Sequence, residues 1–188
     1  MAIERAQKVI DKMAEEREQF VAWVRSVPQE KWSSLSPDGT WQARDYVAHL
    51  ASIDPLLTGL IRTFQREGSV DVGRGSGRPF SIDDWNEGKI LERRPRSIDD
   101  LIAEMETYRV DLNAALAGFT DEQLDRAFHF GGDAKRLPRD LTVAQFLNGL
   151  AYHDRWHRED ARAIDGRPEQ PFGDAAFDTM LQGQTQAR

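Results

Sequence analysis

The chain has 188 residues, of which 39% are apolar and 30% charged, with 25 basic against 32 acidic side chains and a formal charge of −7. That length supports one domain with its own core, while the lack of any apolar run near the roughly 20 residues needed to cross a bilayer excludes a membrane span. An acidic balance without a basic stripe leaves no electrostatic footprint for nucleic acid, and the absence of cysteine excludes disulfides, thiolate ligands and a cysteine nucleophile.

The apolar pattern is helical throughout. Ile3, Ile10, Met13, Phe20 and Val24 recur at spacings of three, four and seven, one face of a first helix that ends near Pro28. A turn-rich connection leads to Thr40, which is placed to cap a second helix with the stripe Tyr46, Leu50, Ile53, Leu57, Leu60 and Phe64. Pro55 is expected to kink that helix, because it lacks an N–H and crowds the preceding turn. Residues 68–79 have the composition of a flexible linker, and Gly73, Gly75 and Gly77 lack the Gly-Lys-Ser/Thr ending of a phosphate loop.

A short helical piece around Trp85 precedes a third long helix, opened by Ser97, striped by Ile98, Leu101, Met105, Tyr108, Leu112 and Leu116, and stopped by Gly118. Thr120 with Gln123 and Thr142 with Gln145 are capping-box pairs. The second pair heads a fourth helix that buries Val143, Phe146, Leu147, Leu150, His153, His157 and Ile164 before Gly166 and Pro168 close it. Between them, His129 has no spaced partner and reads as a packing residue. Four long amphipathic helices without a strand pattern predict an all-α four-helix bundle over residues 1–166, with long crossover connections and a C-terminal tail over 167–188 docked on or extending from it. The amino terminus lacks the order of a secretory signal, so the expected location is cytoplasmic.

His153 and His157 stand one turn apart on an apolar stripe, offset by about 40° around the helix and about 6 Å along it, so both imidazoles can converge on one ion. His49 occupies an apolar stripe on another helix. One such histidine is ordinarily a hydrogen-bonded core residue, but two buried side by side carry a desolvation cost that a shared cation removes. Three histidines facing one interior would form an open-sided divalent metal site, suited to zinc, nickel, iron or copper.

Asp45, one turn before His49, and Asp154, beside the pair, are candidates to orient an imidazole or act as general base; pairing with nearby arginines is their alternative role. Glu159 and Asp160 are expected on the solvated side. Trp41, Trp85 and Trp156 are candidates to line the pocket, with simple core packing as the alternative. No nucleophile-elbow serine is present.

The order W-Q-A-R-D-Y-V-A-H-L-A at 41–51, a long middle helix, then L-T-V-A-Q-F-L-N-G-L-A-Y-H-D-R-W-H-R-E-D at 141–160, resembles the DinB-like superfamily of metal-binding four-helix bundles. The resemblance implies that His49, His153 and His157 are metal ligands and that the metal is zinc or nickel, with iron as a further option. It also implies a metal-dependent enzyme acting on a small-molecule substrate, either a thiol-dependent S-transferase with a low-molecular-weight thiol as cosubstrate or a hydrolase. The alternative is a non-catalytic bundle that binds or sequesters a small molecule for self-protection. A structural metal would ordinarily have four protein ligands, and only three are well placed. An exposed helix face would suit a homodimer.

Overall fold

The computed structural model describes residues 2–36, 39–68, 82–130, 139–162 and 164. The first helix, α1, spans Glu4–Ser26 and stops where Val27 turns extended ahead of Pro28. Its buried face carries Ala6, Val9, Met13, Phe20 and Val24. Val9 takes the inner position expected of Ile10, which lies half-buried at the edge of the stripe.

The connection makes a 3₁₀ turn at Gln29–Lys31 and an isolated antiparallel bridge between Leu35 and Gln42. That bridge keeps the chain extended through Gln42, so the second helix, α2, Ala43–Glu67, starts later than a cap at Thr40 would place it. Gln42 is the cap, and the Asp45 carboxylate accepts its backbone N–H at 2.9 Å. The helix continues through Pro55 as one element and ends at Gly68, whose φ of 72° is the left-handed cap that glycine adopts without strain.

Next come α3, Ile82–Arg93, and α4, Ile98–Ala117. Ser97 caps α4 by accepting the Asp100 N–H at 3.1 Å, which removes one of the unsatisfied donors of the first turn. A short α5, Asp121–Asp125, carries the Thr120–Gln123 capping box. The gap that follows holds a hairpin that the helical reading does not contain. Strand β1, Ala127–Phe130, pairs antiparallel with β2, Arg139–Thr142, from Ala127 opposite Thr142 to Phe130 opposite Arg139. Four-residue strands are too short to show a period against their surroundings. His129 is exposed there and pairs with Asp140 across the register, Nδ1 to Oδ1 at 2.9 Å, so it is a surface residue and not the packing residue expected.

The expected fourth helix is two. Helix α6, Val143–Leu150, is capped by Thr142, and α7, His153–Arg162, follows after a turn at 151–152. The Tyr152 N–H donates to the Gly149 carbonyl at 3.2 Å, an i to i−3 bond that tightens the chain at the junction. Residues 73–77 and the proposed tail at 167–188 lie outside the described residues.

Helix α2 packs along α4, α1 along α7, α1 against α4 and α2 against α7, which closes a ring in the order α1, α4, α2, α7. The consecutive helices α1 and α2 therefore sit across a diagonal, and so do α4 and α7. The long connections are crossovers, as expected of this bundle class. Phe20, Leu50, Leu101, Met105, Leu112, Leu116 and Leu147 fill the interior as its largest fully buried apolar side chains together with Leu124, and α2 is buried over most of its circumference. No described helix is long and apolar enough to cross a membrane.

Candidate metal centre

Packing of α2 against α7 brings His49 to the two histidines of α7. His153 Nε2 lies 3.5 Å from His49 Nε2 and 3.1 Å from His157 Nε2, and one ligand nitrogen from each ring falls within 4.8 Å of the others. Nitrogens bound to one tetrahedral ion at 2.0–2.1 Å stand about 3.3 Å apart. The donor set is thus spaced for a single divalent cation.

Its protonation state agrees. Burial, reinforced by the nearby His157 and opposed only by Asp154, drives the His49 pKa well below the ordinary imidazole range. A neutral imidazole binds a metal without first losing a proton. His49 Nδ1 is buried without a hydrogen-bond partner among the described residues, so its orientation is set by packing. On the other ligand helix, Asp160 Oδ2 approaches His157 Nδ1 at 4.0 Å from a half-exposed position, nearer the site than its expected solvated role implies.

Aromatic rings wall the cluster. Trp41 packs 5.1 Å from His49 and stacks 5.7 Å from His157, centroid to centroid. Tyr46 lies 5.9 Å from His157, and Trp156 lies 6.0 Å from His153. Trp85, by contrast, sits on α3 packed against the core, and the imidazole contacts described are made by the other three rings. Tyr46 was legible in the sequence only as a stripe residue.

The two candidate acids are both engaged elsewhere. Asp45 is fully buried, caps α2 and takes a bidentate pair from Arg94 at 3.0 and 2.7 Å. Asp154 points into the bundle, where Arg17 donates to it through Nε and, at 3.3 Å, through Nη2. Arg109 Nη2 reaches the same carboxylate at 3.4 Å and grips Asp54 through Nε at 2.8 Å and Nη2 at 3.2 Å. Arg17 Nη2 closes the circuit to Asp54 at 3.4 Å. Burial alone would raise the Asp154 pKa, but the two guanidiniums, with a smaller contribution from His153, overcome it and hold the carboxyl at about 2. The outcome is a neutral quartet of two arginines and two aspartates, one from each of α1, α2, α4 and α7.

Arg17, Asp54 and Arg109 are not among the site residues the sequence pattern singles out, although the two arginines carry a signal there. Arg17 falls between Met13 and Phe20, and Arg109 between Met105 and Leu112, each a charge on an apolar stripe. Nearby, Arg158 joins α7 to α1 through Gln19 at 2.7 Å and Glu16 at 3.6 Å.

Solved structures share this architecture. YfiT from Bacillus subtilis, a probable metal-dependent hydrolase with an unusual four-helix bundle topology, aligns with a TM-score of 0.66 at 19% identity, over 89% of each chain. The mycothiol-dependent maleylpyruvate isomerase aligns with a TM-score of 0.61 at 11% identity, over 95% of this chain and 67% of its own. At these identities the likeness is one of fold. No curated protein matches the chain significantly. The family model of the DinB superfamily matches residues 12–161, a span that holds all three histidines and runs from α1 to α7, and the chain belongs to that superfamily.

Proposed function

We propose that this protein is a metal-dependent enzyme acting on a small molecule, a thiol-dependent S-transferase or a hydrolase, with His49, His153 and His157 as the ligands of a divalent cation. The observation that carries the reading is the convergence of three imidazole nitrogens, 3.1 and 3.5 Å apart, at a buried, neutral His49. Nitrogen-only ligation suits zinc or nickel first and iron next. Such a cation supplies Lewis acidity that lowers the pKa of a water or thiol at the open position.

The chain's own groups do the rest. Trp41, Tyr46 and Trp156 pack around the imidazoles and offer a flat apolar wall to a substrate. Asp45 and Asp154 serve better as positioning groups than as proton carriers, because each carboxylate is already committed to arginine. Asp160, half-exposed and close to His157 Nδ1, is the acid best placed to orient a ligand ring.

The test is metal stoichiometry by elemental analysis on untagged protein beside the His157→Ala variant. About one zinc, nickel or iron per chain, lost in the variant, is expected, followed by turnover of a thiol with an electrophile, or of an ester or amide, that chelation abolishes. No metal in either sample, with added ions failing to bind, refutes the metal centre. Metal with saturable binding and no product would favour a sequestering bundle instead.

A further inference from the structure

The quartet of buried charges joins helices that apolar packing leaves apart. Arg17 to Asp154 and Arg109 to Asp54 reinforce the adjacent pairs α1–α7 and α4–α2. Arg17 to Asp54 and Arg109 to Asp154 instead cross the two diagonals. Its members flank the histidines in sequence: Asp154 follows His153 directly, and Asp54 stands five residues beyond His49, about 7.5 Å along α2.

We propose that Arg17, Asp54, Arg109 and Asp154 are positioning residues that hold the first turn of α7 against α2 and so set the spacing of His153 and His157 to His49. The inference rests on the metal-centre reading above. Three observations support it. Helices α6 and α7 are joined by the two-residue turn at 151–152, immediately before His153, where the Tyr152 N–H bonds to the i−3 carbonyl instead of the i−4 one, so one regular helix does not dictate where the first turn of α7 lies. Within that turn Asp154 is the side chain that reaches the bundle interior and is gripped there from both α1 and α4. Helix α4 supplies no histidine, yet it contributes the arginine that binds both carboxylates.

Stability alone does not account for the arrangement. Taking four charges out of water is costly enough that apolar residues of similar volume often serve the fold as well or better. Fixing a unique register is one role that buried ionic groups serve in some proteins, and three convergent ligands require such a register.

The experiment is cobalt(II) titration of the full-length protein, in competition with a chelator, with affinity and the visible d–d spectrum as readouts. Two variants accompany the wild type. Asp54→Leu/Arg109→Met removes one charge of each sign and leaves Arg17 paired with Asp154. Arg109→Lys keeps the charge but loses the guanidinium fork that serves both carboxylates. The double variant is expected to remain helical and to unfold cooperatively while binding cobalt about ten- to a hundredfold more weakly, with a changed band shape and intensity. Arg109→Lys should fall between it and the wild type. Unchanged affinity and spectrum in the double variant overturn the positioning role; should that variant not fold, the same result in Arg109→Lys overturns it and a measurable weakening supports it. Wild-type protein that takes up no cobalt overturns the metal centre itself and this inference with it, whereas uptake by the wild type with unaltered variants overturns only the inference.

Discussion

Acid should weaken the fold through Asp154 in a calculable way. In the native state its carboxyl is held at about 2, against an ordinary value of 3.8, because burial, which alone would raise it, is outweighed by Arg17 and Arg109. A depressed native pKa means the unfolded chain takes up the proton first, so the stabilisation is complete above about pH 4 and is lost as pH falls through 2. At about 1.4 kcal/mol per pH unit the whole effect is about 2 kcal/mol, of which roughly 1 kcal/mol is gone by pH 3. The side chain is only 5% exposed, so solvent screening takes little from this figure. Asp154→Asn removes the titration and leaves two guanidiniums facing one carboxylate, which should cost several kcal/mol at neutral pH. Urea unfolding of chelated wild type and Asp154→Asn at pH 5, 4 and 3 cancels the carboxyls outside the quartet. The stability gap between the two proteins should narrow by about 1 kcal/mol over that range. A constant gap would refute the idea that the arginines hold Asp154 ionised.

Two further outcomes follow from the histidine cluster. Zinc or nickel at a hundredfold excess over Kd should stabilise the chain by about 2.7 kcal/mol, raising the melting temperature by about 5–10 °C for a domain of this size; an equal rise in His153→Ala, followed by calorimetry, would place the ion elsewhere. Cobalt(II) or nickel(II) should quench tryptophan fluorescence through Trp41 and Trp156, whose rings lie within about 6 Å of the imidazoles. Trp41→Phe should keep the metal stoichiometry and lose part of that quench, and an undiminished quench would remove Trp41 from the wall of the site.

The long helices were legible because their signals are local. Met13, Phe20 and Val24 recur on a 3.6-residue period, Ser97 and Thr142 cap where their side chains suggest, and Gly118 follows the last residue of α4 as a stop. What stayed hidden depends on neighbours. The β1–β2 pairing takes its meaning from two segments nine or more residues apart, neither long enough to show alternation by itself. The break between α6 and α7 lies in an apolar run, L-N-G-L-A-Y-H, that continues the helical period across the turn. The diagonal placement of α1 and α2 is invisible to any pattern within a helix.

The site divides the same way, and the division is instructive. His153 and His157 share a turn, so their common face follows from helix geometry alone, while His49 joins them only through the packing of α2 on α7. It was recognised as a polar side chain on an apolar stripe. Arg17 between Met13 and Phe20, and Arg109 between Met105 and Leu112, satisfy that same criterion. Their pattern is ambiguous because an arginine on a stripe can extend its charge to solvent along an aliphatic stem, an escape that a buried imidazole lacks. Here the escape is not taken: both guanidiniums turn inward because Asp54 and Asp154 meet them from the facing helices. An interior charge therefore becomes readable only in balanced sets, and stripes on four helices with two cations and two anions at matching depth are the pattern that would have disclosed this one.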